Sequence, residues 1–158
     1  MMYIRKSLIL PVLVLGLGLS TGVSWAETAS HEGHQGAAVE LTLNGQAKWQ
    51  GDENMLKGMN AIRSALAPRL SAIHDDTLPS ADYMALAGEI EAQVDFMVEN
   101  CKLTPEVDEQ FHIVLGHVLD GVSELKGETD PRAGAVLVVE ALNAYGSHFE
   151  HANWQPIE

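Results

Sequence analysis

Seven side chains of this chain could hold a soft metal ion or a haem iron, because thioether, thiol and imidazole are the ligands those centres use. They are Met55, Met59, Met97, Cys101, His112, His148 and His151. Met55 and Met59 stand four residues apart, as do Met97 and Cys101, while His148 and His151 stand three apart. On a helix each such pair shares a face, and two imidazoles so placed can chelate. Each group also has a plainer use. Methionine fills gaps in cores, and a free cysteine behaves as a small buried hydrophobe. A histidine near a helix C-terminus is favoured there as a cation. His112 and His148 fall one residue off the apolar stripes, a position that suits a ligand, a half-buried ring or a solvated one. His117 falls on a different face and is expected in solvent. His74 follows the first helical stretch and could cap it. His31-Glu32-Gly33-His34 reads as a solvated tail that could bind a metal weakly.

Catalytic patterns are missing. No nucleophile-and-base spacing is visible, and no GxGxxG, GxxxxGK[ST] or GxSxG motif occurs. A di-iron bundle needs two Glu-x-x-His motifs on two helices. Glu109 to His112 supplies one, but neither His148 nor His151 has a carboxylate three residues earlier. The expectation is a non-enzymatic protein.

The elements that must position these groups are helices. Asp52 is an N-cap before acidic Glu53. Met55, Met59, Ile62, Leu66, Leu70 and Ile73 then recur at helical steps, with Pro68 expected to kink the helix. Residues 74–79 break it. Ser80 is expected to cap a second helix with the stripe Tyr83, Leu86 or Ala87, Ile90, Val94, Met97 and Cys101. Thr104-Pro105 opens a third, carrying Val107, Phe111, Val114, Val118, Val122 and Leu125. Gly127 ends it. Asp130-Pro131 opens a fourth, with Ala135, Val138, Leu142, Tyr145, Phe149 and Ala152 on one stripe, stopped by Asn153 and Pro156.

Four helices of about 20 residues, each about 30 Å long, joined by short links, predict an all-α, antiparallel up-down-up-down four-helix bundle over residues 52–152. That topology gathers the starts of the first and third helices and the ends of the second and fourth. All seven soft ligands fall at that end. Residues 27–51 read as a mobile and then extended N-terminal segment, with alternation at 39–43, and residues 153–158 as a C-terminal tail.

Composition fits this reading. The chain has 158 residues, 46% of them hydrophobic and 20% charged, with 9 Lys+Arg against 22 Asp+Glu and a net charge of −13. That supports a globular core. It argues against non-specific nucleic-acid binding and against docking on anionic lipid. Residues 1–26 read as a cleaved signal peptide: Arg5 and Lys6, an apolar run from Leu8 to Leu19, then Ser24-Trp25-Ala26. The run is short for a membrane span, so no membrane association is expected after cleavage. Export points to a bacterial periplasm, an oxidising compartment in which a single cysteine forms no internal disulfide.

Three stretches resemble the periplasmic four-helix-bundle cytochromes, namely the cytochrome c-prime proteins and the related cytochrome b with non-covalent haem. Asp52-Glu53-Asn54-Met55 resembles the start of the first helix of the cytochrome b, which implies Met55 as an axial haem ligand. Phe111, Ile113, Leu115 and Gly116 resemble its third helix, which implies Phe111 packed on haem. Asn143-Ala144-Tyr145 resembles its fourth, where the axial histidine follows directly. Here that position is Gly146, and His148 comes two residues later, rotated about 200°. Aligned on His148, the two cysteines of a CxxCH motif would be Ala144 and Ser147, which excludes covalent haem there. Tyr145-Gly146, Phe149-Glu150-His151 and Trp154 are similar to a family of exported proteins, a likeness that adds nothing on chemistry.

The function expected is that of a periplasmic cofactor-binding bundle. It would hold copper or haem b at one end, for electron transfer or for carriage of the metal or haem, with a basic redox or metal-handling protein as partner. Soft ligands favour copper(I), and the bundle resemblance favours haem. The alternative is a cofactor-free interaction module. Phe96, Ile113 and Val139, off the main stripes, leave a homodimer open.

Overall fold

The computed structural model describes residues 39–158, so the signal-peptide reading, the first part of the N-terminal segment and the His31/His34 pair lie outside the described residues. The described part is all-α. Helix α1 spans Glu53–Leu66, and the Asp52 side chain caps it by accepting from the Met55 amide at 2.8 Å. Pro68 does more than kink it. Proline lacks an N–H and its ring crowds the carbonyl four residues back. Residues Ala67–Arg69 therefore tighten into a 3-10 turn, and α2, Leu70–His74, resumes the path. The Arg69 guanidinium donates to the Ala65 carbonyl across this turn.

Helix α3 spans Ser80–Asn100. Its cap position is Pro79 rather than Ser80, which is the first helical residue and makes no capping bond. Helix α4, Pro105–Leu125, and helix α5, Pro131–His148, each begin on a proline. Asp130 caps α5 by accepting from the Ala133 amide at 3.1 Å.

The fourth helical stretch ends earlier than its apolar stripe predicts. Phe149 leaves the helix with φ −115° and ψ 140°. The cause is a competing partner. The Trp49 amide donates to the His148 carbonyl at 2.8 Å, and the Glu150 amide donates to the Trp49 carbonyl at 2.8 Å. These two bonds pin an N-terminal arm against the end of α5, and His148 and His151 no longer share one helical face. The arm itself turns at Gly45, with φ 65°, between Asn44 and Ala47, whose backbones exchange two 3.0 Å bonds.

The core runs from Met55 and Met59 through Ile62, Leu86, Ile90, Val114, Val118 and Leu142 to Phe149. Helix α1 packs on α3, α3 on α4, and α4 most intimately on α5, while α1 and α5 barely meet. Glycine sets the α4–α5 approach. A Cβ on Gly134 would lie 2.6 Å from the Gly121 carbonyl oxygen and nearer still to the Leu125 nitrogen. The off-stripe Phe96 and Val139 are partly buried against the core, and the Lys57 ammonium sits 4.8 Å from the centre of the Phe96 ring. No helix among the described residues is long and apolar enough to cross a membrane.

Candidate functional site

Asp52 is where α1 and α3 are tied together. One carboxylate oxygen caps α1, and the other accepts from the Lys102 amide at 2.6 Å. The Cys101 thiol lies beside the same carboxylate and helps to hold it ionised. Beside them the Asn54 side-chain amide donates to the Asn100 carbonyl at 2.9 Å. Burial raises the Asp52 pKa, but the bonds from Met55, Lys102, Cys101 and Asn54 outweigh it and hold the carboxyl below its ordinary value.

Cys101 is the residue at which α3 stops, with ψ 144°. Its thiol is half-buried. Burial first, then the Asp52 charge and hydrogen bond, then Asp108, push it up to about 12. It is therefore a thiol at neutral pH and a poor nucleophile as it stands. Met97 lies one turn earlier on α3, and the Cys101 amide donates to its carbonyl at 2.9 Å. Met55, Met59 and Met97 are buried. Two glycines make room for them: a Cβ at Gly58 would overlap the Met97 side chain, and a Cβ at Gly51 would lie 2.6 Å from the Met55 sulfur and nearer still to its methyl.

On the α4–α5 side the same end is aromatic. Tyr145 and Phe149 stack with centroids 5.2 Å apart, and Phe111 meets Phe149 edge-on at 5.9 Å. The Trp154 ring stands edge-on to Tyr145 at 4.9 Å. The chain beyond α5 folds back over this stack. Asn143 brackets the Ile157 backbone with two bonds of 2.8 and 3.0 Å, and Trp154 lies directly over Gly146. The fully buried Tyr145 reaches His151 Nδ1 with its hydroxyl at 2.9 Å. Burial, then the nearby Cys101, raise the Tyr145 phenol well above its ordinary value. Burial lowers the His151 pKa, which favours the neutral ring, and its Nδ1 shares this hydrogen bond with the phenol.

That depressed value has a sign. A histidine whose folded pKa lies below its unfolded one adds stability that is present above the unfolded value of 6.5 and is lost as pH falls through the folded value. We expect urea midpoints to drop between pH 7 and pH 5, and the drop to be smaller in His151→Gln, which keeps an acceptor for Tyr145 but takes no proton. Equal drops in the two proteins would show that His151 is not the group responsible.

The other histidines stand apart. His148 is half-buried, and its Nδ1 bonds its own Ala144 carbonyl at 2.8 Å, which leaves Nε2 uncommitted. His112 is exposed, its Nδ1 facing the Asp108 carbonyl at 2.9 Å and carboxylate at 3.4 Å. It does not join the cluster. Among the described residues no group of three or more His, Cys, Asp or Glu side chains converges as a metal site, so a soft metal here would lean on thioethers. Haem b does not fit the register that the cytochrome resemblance implies. The position of the axial histidine is Gly146, and the Trp154 indole already covers it.

Sequence reading missed the second role of Asp52, the Tyr145–His151 pair, and the arm that carries Trp49 and Gly51. An aspartate both capping a helix and facing the next helix end leaves no mark in periodicity. No protein-family model, no curated protein and no solved structure matches this chain.

Proposed function

We propose that this is an exported, antiparallel up-down-up-down four-helix bundle, cytochrome c-prime-like in architecture, that carries copper(I) at the end where α1 starts and α3 stops. One observation carries the reading: the Cys101 thiol is held half-buried against the Asp52 carboxylate, one turn from buried Met97 and beside the turn that holds buried Met55. In that setting a thiolate is disfavoured by burial and by a like charge. A bound cation removes both penalties at once, and thiolate with thioether is the donor set copper(I) prefers. Cys101, Met97 and Met55 are the ligands in this reading, with Met59 behind them. His148, whose Nδ1 bonds the Ala144 carbonyl, would receive the ion from a partner through its other ring nitrogen. The acidic surface suits a basic redox or metal-handling protein.

The test is a titration with copper(I), without oxygen and against a competing chelator, on protein secreted with its own leader. We expect about one ion per chain and no Soret band. A Soret band in the purified protein would replace copper with haem b. Protein that binds neither would be the interaction module.

A further inference from the structure

The buried thioether of Met55 is covered by backbone that belongs to the arm, not to the helices. Gly51 lies so close that a Cβ there would stand 2.6 Å from the sulfur. Residue 51 follows a stretch held to the rest of the molecule mainly by polar contacts at the surface. Thr42 bonds Gln110 Oε1 through its amide at 2.8 Å and its hydroxyl at 3.2 Å. The Lys48 ammonium donates to the Gly146 carbonyl at 2.6 Å. Trp49 makes the two backbone bonds to residues 148 and 150 and returns its indole N–H to the Thr42 carbonyl at 2.6 Å. On the far side of Gly51, Asp52 is fixed to α1 and to Lys102.

A segment with little apolar burial and water-accessible hydrogen bonds opens far more cheaply than a core. Of the arm, only Leu41 and Trp49 pack against the core, and both only partly. We infer that residues 42–51 are a lid whose last residue, Gly51, covers the Met55 thioether; it swings about the junction with Asp52, which α1 and Lys102 hold fixed, and closes by clasping the end of α5. The part of this inference that concerns metal entry rests on the copper reading. The lid itself does not.

Lys48→Ala combined with Gln110→Ala removes the lid's side-chain anchors and leaves the core untouched. Hydrogen peroxide is the probe. Its O–O bond breaks, one oxygen joins the methionine sulfur as the sulfoxide, and water leaves, so sulfur is oxidised and peroxide reduced. Losing these exposed bonds should raise the open population, and with it the Met55 oxidation rate, by about tenfold or more. Met59 and Met97, buried in the core, should react at the original rate. Equal acceleration of all three methionines, or of none, would overturn the lid. Copper(I) uptake is followed in the same two proteins. Faster uptake with unchanged final affinity is expected, and an unchanged uptake rate would overturn the lid as the route of entry. If neither protein binds copper, the copper reading fails, and peroxide alone decides whether a lid exists.

Discussion

Gly134→Ala should lower the unfolding free energy by about 3 kcal/mol or more, although it adds a single methyl group and raises helix propensity. The new Cβ would point at backbone, 2.6 Å from the Gly121 oxygen and 2.9 Å from the Glu124 carbonyl carbon. A flexible side chain could step aside, whereas two helix backbones must separate. Separation of α4 from α5 opens the closest helix pair among the described residues. It also displaces Tyr145, on which Phe111, Phe149 and Trp154 all rest. The control is Gly116→Ala, where a Cβ meets nothing within 4 Å. There the propensity gain acts alone, and stability should rise by up to about 1 kcal/mol. Urea denaturation of both variants decides the matter. A loss below about 1 kcal/mol in Gly134→Ala would mean that the helices slide apart easily and that glycine does not set their spacing.

Copper(I) affinity should fall about tenfold for each unit of pH lost across the neutral range, and that slope should vanish in Cys101→Ser. The thiol is pushed up to about 12. One proton must therefore leave Cys101 whenever the ion binds below that value. Loss of the sulfur should also weaken binding by about a hundredfold or more, beyond what loss of an outer-shell partner costs. Affinity measured by chelator competition at several pH values reads both effects. A flat profile in the unaltered protein would remove Cys101 from the ligand set. A slope that survives in Cys101→Ser would move the proton to another group.

The helices were legible because their signals are local. Asp52 and Asp130 mark starts by cap chemistry and Pro105 and Pro131 by their fixed φ, whereas the Thr104 hydroxyl, the expected cap of α4, makes no capping bond; the apolar stripes name the buried residues, Met55 to Leu66 and Ala135 to Tyr145 among them. What stayed hidden depends on contacts distant in sequence. Phe149 continues the α5 stripe perfectly well. It leaves the helix because Trp49 takes the backbone groups on either side of it. The soft side chains were expected at one end from topology alone; the contacts of Asp52 with Lys102 and of Gly58 with Met97 join α1 to the end of α3 around Met55, Met97 and Cys101. For His112 topology gave the right level of the helix but not the direction of the ring, which points to solvent.

The pairing of the arm with the end of α5 also bears on the order in which the chain assembles. Helices α4 and α5 are neighbours in sequence, so their glycine-lined contact closes only a short loop. Lys48 and Gly146 lie 98 positions apart, and the entropy of joining such distant points must be met before their few bonds are gained. Short-range contacts of this kind form early and long-range ones late. The hairpin of α4 and α5 is thus the natural nucleus, and the clasp that hides Met55 is the last piece to settle. A chain folding in this order passes through a stage with its helices packed and the Met55 thioether still open, so that sulfur is reachable before the fold is complete and closed afterwards.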